Sequence, residues 1–280
     1  MDPMSKDPRL DQLPLGKPTE YLSTYTPSLL RSVPRAPLRE PLGIEAEDLP
    51  FHGADLWNGY ELSWLNRRGR PEVAVLRLQV PASTPCIVES KSLKLYLNSF
   101  SQTNFASRAE VSRTLESDLT LAARAPVSVR LVTLDQVQAE GFGHFAGTSL
   151  DTLDVDVTEY RSQPSLLKTD REVNVRESVF THLLRSLCPV TGQPDWGSLA
   201  IQYTGPAIEH ASLLRYVVSL REHRGFHEET VERIFTDLQH RCRPSSLTVY
   251  ACYLRRGGLD INPYRSTEPG DPPMIRLGRQ

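Results

Sequence analysis

The feature that most constrains the fold is an internal repeat, in which the two halves of the chain share one pattern at an offset of about 120 residues. The helical position Val111 corresponds to Val231, and the strand position Val127 corresponds to Leu247. Each half shows the pattern ββααββ, because runs of alternating apolar residues flank two apolar stripes of helical period. Strands and helices that are grouped in this way are typical of α+β proteins. We therefore predict two antiparallel sheets, each backed by a helix pair, whose exposed edges favour joining to each other or to another chain.

The repeat also predicts the division into domains. Residues 1–50 contain nine of the 22 prolines, so this segment cannot sustain a helix and is predicted to be an extended arm that lies over the fold. Tyr21 and Tyr25 are among the apolar side chains expected to order the arm. The first module is predicted at residues 51–160 and the second at residues 161–280.

Individual elements follow from the same patterns. The first half is predicted to contain strands at residues 57–65, 73–80, 86–88 and 127–131, the last paired with a strand at 153–157, and helices that begin near 90 and 108. The second half is predicted to contain strands at 173–184, 199–203 and 247–253, with helical stripes that begin near 211 and 231. The connection between the strands at 173–184 and 199–203 contains residues 188–196.

Composition excludes several classes of function. A formal net charge of −2 and a pI near 6.4 provide no basic surface for nucleic acid or for an acidic membrane. No apolar run reaches the roughly 20 residues that span a bilayer, and the polar start of the chain does not resemble a signal peptide. Four cysteines are too few for a disulfide scaffold, so we expect a cytoplasmic protein with free thiols.

Four segments contain polar residues that folding alone does not require. Cys188 and Asp195 lie on one loop that two prolines stiffen, and loops held by rigid neighbours are frequent sites of chemistry. The other segments are residues 89–91, 226–228 and 255–258. Each segment also has a structural alternative: Cys188 could be a packing cysteine, Ser90 a helix cap and His227 a first-turn residue. Residues 255–258 could be a solvated turn after a strand.

Other motifs are weak. The glycines at residues 141–147 do not have the spacing of a dinucleotide fingerprint, and no P-loop occurs. Cys242 and Cys252 have no histidines at ligand spacing, so no metal site is predicted. Together with Cys86, these two cysteines are predicted to pack in the core.

The four segments together resemble the 7-cyano-7-deazaguanine reductases, which are NADPH-dependent nitrile reductases of queuosine biosynthesis. The resemblance is carried by ESKSLKLY at residues 89–96, CPVTGQPDW at 188–196, FHE at 226–228 and RRGGLDINP at 255–263. It extends from about residue 15 to the end, in the long, two-module form of the family. It implies tandem modules of the tunnelling fold, which is built from ββααββ units, a site assembled across the modules, and a homodimer.

The resemblance also implies a reaction, the reduction of a small-molecule nitrile to a primary amine with two NADPH. Cys188 would attack the nitrile carbon to form a thioimide, Asp195 would donate a proton, and His227 would assist proton transfer. The residues expected to hold the substrate are Val88, Glu89, Ser90, His227 and Glu228. The residues expected to hold NADPH are Ser90, Lys91, Arg256 and Gly257.

Two alternatives remain open at this point. A zinc-dependent cyclohydrolase of the same fold would use Cys188 and a histidine as metal ligands. A non-catalytic purine-binding or assembly module would bind its ligand without turnover.

Overall fold

The computed structural model describes residues 20–280; the first part of the predicted arm, residues 1–19, lies outside the described residues. The strands are β1 (Ser32–Pro34), β2 (His52–Leu65), β3 (Pro71–Pro81), β4 (Cys86–Val88), β5 (Ser128–Val132), β6 (Thr148–Ser149), β7 (Thr169–Leu187), β8 (Pro194–Ile208), β9 (Ser246–Tyr253) and β10 (Leu259–Ser266). The helices are α1 (Ala36–Arg39), α2 (Ser90–Asn98), α3 (Arg108–Ala123), α4 (Leu134–Glu140), α5 (His210–Ser219) and α6 (His227–Cys242).

The strands of both halves form one continuous sheet rather than two separate ones. Its order in the described residues is β5-β3-β2-β10-β9-β8-β7-β6, and β1 pairs separately with β4. The two halves join where β2 and β10 run antiparallel, with Leu259 opposite Gly59 and Ser266 opposite His52. Because β2 and β10 pair with each other, neither half has an unpaired edge strand at the join. This was expected, since the backbone groups of an edge strand need hydrogen-bond partners.

Two helices back each half of the sheet, which confirms the predicted α+β class. Helices α2 and α3 enclose a core that includes Leu76 and Tyr96. Helices α5 and α6 enclose a second core that includes Phe235 and Val249. The apolar stripes that predicted these helices are their buried faces.

The predicted strand at residues 153–157 is wrong. Leu153 and Val155 are partly buried against the core of the second half, and this extended segment pairs with no strand of the described chain. The carbonyl of Asp156 accepts a hydrogen bond from Arg215 Nε of α5 at 3.1 Å. Any extended segment that lies on a surface buries alternate side chains, so alternation alone did not distinguish this crossing segment from a strand.

Strand β10 was not predicted, because its sequence contains Asp260, Asn262 and Pro263. The two polar side chains are buried and hydrogen-bonded to each other, with Asn262 Nδ2 2.6 Å from Asp260 Oδ1. The register between β10 and β9 begins only at Tyr264. Pro263 therefore interrupts no pair with β9.

The described part of the arm lies over both halves of the fold, and Leu42 and Ile44 belong to the second core. The expectation that the arm sustains no helix is wrong for α1, because Pro37 stands in the first turn, where its missing amide costs no hydrogen bond. Tyr25 donates its hydroxyl to Asp118 Oδ2 at 2.7 Å, and Leu29 and Leu30 pack against the first core. Tyr21 was expected to help order the arm, but its side chain is 61% exposed.

None of the helices between residues 20 and 280 has the length and apolar character needed to cross a bilayer.

Candidate active site

A cleft opens at the seam between the two halves. Its walls are Trp57, Ile87, Val88, Ser90, Cys188, Pro189, Asp195, Gly225, Phe226, His227, Glu228, Arg256 and Ile261. The structure thus brings together seven predicted site residues from both halves: Val88, Ser90, Cys188, Asp195, His227, Glu228 and Arg256.

Cys188 lies at the start of the tight loop between β7 and β8. Its amide donates to Gln193 O at 2.8 Å, and its carbonyl accepts from Gly192 N at 2.9 Å. Gly192 has φ +69°, in the left-handed region that glycine adopts without a steric cost. Cys188 is only 3% exposed, yet it lines the cleft, so a small ligand can reach a thiol that is otherwise shielded.

Backbone hydrogen bonds tie the Cys188 loop to the start of α6. The amide of Leu187 donates to His223 O at 2.8 Å, and the amide of Gly225 donates to Leu187 O at 3.1 Å. These bonds fix the position of Cys188 relative to His227, the first residue of α6. The two residues are far apart in sequence but share one rigid frame.

Asp195 lies near the start of β8 and is 7% exposed. Its Oδ1 lies 2.8 Å from Arg256 Nη2 and 3.7 Å from His227 Nε2. Arg256 also donates from Nη1 to Gln193 Oε1 at 3.1 Å, so it links Asp195 to the Cys188 loop.

His227 is a neutral imidazole at neutral pH. Burial lowers its pKa below the usual value; the charge of Asp195 opposes this effect and that of Arg256 adds to it. Its ring contacts Tyr253 edge to face, with 4.0 Å between centroids. A neutral imidazole can accept one proton and donate another.

Glu228 follows His227 in the first turn of α6 and is 3% exposed. Burial, and then the charge of Asp55, raise the pKa of Glu228 to about 8. The carboxyl group is therefore mostly protonated at neutral pH in the free protein, although a ligand that donates N–H bonds to it favours the ionised form.

Glu89 does not line the cleft. Its carboxylate caps α2, where Oε1 accepts from Lys91 N at 2.9 Å and Oε2 accepts from Ser92 N at 2.7 Å. Burial raises the pKa of Glu89. The structural alternative had given the cap to Ser90, but the cap is Glu89, and Ser90 instead contributes to the cleft wall.

Lys91 and Gly257 also lie outside the cleft walls, beside its Ser90 and Arg256 edges. Gly257 has φ +61°, and a Cβ added to it would lie 2.9 Å from Lys94 Nζ. The turn at Gly257 therefore lies close to two cations, Arg256 and Lys94. Lys94 was not predicted as a site residue. Cations beside an exposed glycine turn suit the phosphates of a dinucleotide such as NADPH.

Sequence reasoning missed several residues at the site. Trp57 lines the cleft, and its Nε1 is buried without a hydrogen-bond partner in the described residues. Asp55 and Arg265, both at most 1% exposed, lie behind Glu228 on strands β2 and β10. A charged residue inside an otherwise apolar strand pattern was the available signal, since such residues are rarely buried unless paired.

The other cysteines pack in the protein interior, as predicted. Cys86, Cys242 and Cys252 are at most 2% exposed. Burial raises the pKa of Cys242 to about 11 and that of Cys252 to about 12, so both thiols stay neutral. Within residues 20–280, no three His, Cys, Asp or Glu side chains are placed to share a metal ion, so the zinc alternative has no ligand set there.

Fold and site together define a class: a two-module α+β protein of the tunnelling-fold type, with a thiol, a carboxyl group and an imidazole in one cleft. Residues 21–131 match the family described as "Nitrile reductase, 7-cyano-7-deazaguanine-reductase N-term", and residues 194–271 match "QueF-like protein". The chain belongs to the QueF family of nitrile reductases, in its long, two-module form.

Among the solved structures that match part of the chain is one described as "Crystal structure of the archaeosine synthase QueF-Like in the apo form". The match has 18% sequence identity and a TM-score of 0.30, and it covers 37% of this chain and 100% of that one.

Proposed function

We propose that the protein reduces the nitrile of 7-cyano-7-deazaguanine to an aminomethyl group, with NADPH as reductant, in queuosine biosynthesis. The family supports a nitrile reductase of this pathway. The observation that carries the proposal is the convergence of Cys188, Asp195 and His227 on one cleft, beside the buried carboxyl group of Glu228.

The first step is addition of the Cys188 thiol to the nitrile. The sulfur forms a bond to the nitrile carbon, one C–N π bond breaks, and the nitrogen takes a proton from Asp195. Neutral His227 accepts the thiol proton, so the thioimide forms without loss of atoms. A protonated thioimide accepts hydride more readily than a nitrile does.

Glu228 is proposed to orient the substrate. An ionised carboxylate accepts the N–H donors on the guanine-like edge, and a ligand that lacks those donors leaves the carboxylate buried and unpaired. Val88 and Ser90 also line the cleft. Glu89 is proposed to act indirectly on the substrate: its carboxylate caps α2 and thereby positions the backbone at the start of that helix.

NADPH, when bound, would supply one hydride, and a second NADPH would supply the other. Arg256 and the Gly257 turn, with Lys91 and Ser90, are proposed to hold the cofactor. Arg256 forms its ion pair with Asp195 in this structure. If Arg256 moves to a phosphate, its ion pair with Asp195 is broken, so one guanidinium group would link cofactor binding to the proposed proton donor.

We also propose a cytoplasmic homodimer. The family resemblance supports the dimer, and the few cysteines are consistent with a reducing compartment. Sedimentation of the purified protein measures the dimer directly; a monomer at micromolar concentration would contradict it.

The function is tested by incubation with 7-cyano-7-deazaguanine and NADPH. We expect two NADPH oxidised per nitrile and the aminomethyl product by mass spectrometry. Cys188→Ala serves as the control and should form no product. Absence of the amine with the wild-type protein would contradict the proposal.

A further inference from the structure

Five charged side chains are buried together behind the candidate active site. They come from the arm, from β2, from α6 and from β10, and each is at most 3% exposed: Arg35, Arg39, Asp55, Glu232 and Arg265. Charges are rarely buried to this extent unless they are paired, so the cluster has a specific arrangement.

Two carboxylates divide the three guanidinium groups between them. Asp55 is held by Arg35 Nη2 at 2.5 Å and by Arg265 Nη2 at 2.8 Å, through different oxygens. Glu232 is held by Arg39 Nη2 at 2.7 Å and by Arg265 Nη2 at 2.8 Å. Arg35 reaches Glu232 only at 3.8 Å. Arg35 is therefore primarily the partner of Asp55.

The cluster alone carries one excess positive charge, because three arginines face two carboxylates. Glu228 lies one helical turn before Glu232 and so on the same face of α6. Ionised Glu228 would make the whole group neutral. The net charge of the cluster therefore affects the protonation of Glu228, which lines the cleft.

The arm segment that carries Arg35 also contacts both sides of the cleft. Strand β1 pairs with β4, so that Ser32 lies opposite Val88. Val33, with Leu38 and Ile87, forms an apolar cluster against Val190 and Phe226. Val190 belongs to the Cys188 loop, and Phe226 precedes His227. The position of Arg35 is thereby fixed relative to the reacting groups.

We propose that Arg35 is a positioning residue of the active site, whose buried charge allows Glu228 to ionise and accept hydrogen bonds from the substrate. This inference rests on the proposed function. The groups that act on Glu228 are Arg35 from the arm, Asp55 from β2 and Arg265 from β10, with Glu232 on its own helix and His227 beside it. Burial and Asp55 raise the pKa of Glu228, whereas Arg35 and Arg265 lower it.

Two substitutions should therefore act in opposite directions. Arg35→Met removes positive charge and raises the pKa of Glu228, and substrate binding at pH 7 weakens by about tenfold each time that pKa rises by one. Asp55→Asn removes negative charge and lowers that pKa, so binding at pH 7 becomes tighter and persists to lower pH. A purely structural role would weaken binding in both variants.

The test is a calorimetric titration with 7-cyano-7-deazaguanine between pH 6 and 9, in a Cys188→Ala background so that no covalent adduct forms. The parent should bind more tightly as the pH rises to about 8. Arg35→Met should move that rise to higher pH, Asp55→Asn should move it to lower pH, and Arg35→Lys, which keeps the charge, should leave it in place.

Arg39→Met is the matched control, because it removes a buried guanidinium from the same arm that bonds Glu232 and Ala82 O but not Asp55. It should lower stability and move the pH profile less than Arg35→Met does, because Arg39 is paired with Glu232 and is not among the main charges that act on Glu228. If Arg35→Met does not fold, the direction in which Asp55→Asn moves the pH profile of substrate binding still tests the inference.

Profiles that do not move, or that move in one direction for both variants, would overturn the inference and leave the proposed function intact. A parent that binds no 7-cyano-7-deazaguanine at any pH would instead contradict the proposed function, and the inference with it.

Discussion

The carboxylate of Asp195 is bound by Arg256, with 2.8 Å between Oδ1 and Nη2, although Asp195 is the second residue of β8 and Arg256 lies in the turn between β9 and β10. The pair joins the proposed proton donor to the proposed cofactor site. The effects of substitutions at Asp195 and at Arg256 should therefore not be additive.

Asp195→Asn should lower turnover by about 10²- to 10⁴-fold, since a positioned acid contributes that much to proton transfer. The thioimide should still accumulate slowly, because water can protonate the nitrogen. Turnover is measured by NADPH oxidation and the adduct by intact mass. Asp154→Asn, at an exposed position, is the control and should behave as wild type. Full activity in Asp195→Asn would remove Asp195 from the mechanism.

Glu228 should make stability depend on pH. Its pKa is about 8 in the folded protein and about 4.5 in a model peptide. The folded state thus retains a proton that the unfolded chain has lost. The stabilisation is complete below pH 4.5 and is lost as the pH rises to about 8.

Glu228→Gln should remove this dependence. The variant should match wild type near pH 4.5 and exceed it at pH 8 by up to about 5 kcal/mol in the free energy of unfolding. Chemical denaturation of both proteins at the two pH values measures the difference. Parallel stability curves would show that Glu228 is not the titrating group.

Lys91→Met should separate cofactor binding from nitrile addition. Loss of a charge-assisted bond to a phosphate, worth roughly 1.5–3 kcal/mol, should raise KM for NADPH about ten- to hundredfold. The rate of adduct formation with the nitrile alone should not change. Lys168→Met, at an exposed site, provides the comparison. An unchanged KM in Lys91→Met would exclude its proposed role.

Gly192→Ala should displace the reactive loop. A side chain at φ +69° costs about 1 kcal/mol of stability, and the shift of Cys188 should slow adduct formation. Gly270 has open space around it and no positive φ, so Gly270→Ala should alter neither property. Equal behaviour of the two variants would show that the loop tolerates the substitution.

The sequence allowed prediction of the elements whose apolar period matches their buried face. The helix stripes at Tyr96 and Phe235 were of this kind, and the loop that carries Cys188 was predicted as the connection between two strands of this kind. The site residues Cys188, Asp195 and His227 were named from the family resemblance, and the structure places all three in one cleft.

The remaining features depend on contacts between distant segments. Glu89 has the sequence position of a binding residue, but the unpaired amides of α2 engage its carboxylate. Nothing local distinguishes Arg35 from the other arginines of the arm, because its burial depends on Asp55 and Glu232, which lie 20 and 197 residues further along the chain. Such pairings become visible only in the folded protein.

Addition of Cys188 to the nitrile carbon is tested most directly by intact mass spectrometry after incubation with 7-cyano-7-deazaguanine alone. We predict a mass increase equal to the whole ligand in the wild-type protein, since the addition loses no atoms, and no increase in Cys188→Ala. An unmodified wild-type protein, or an equal adduct in Cys188→Ala, would contradict the account.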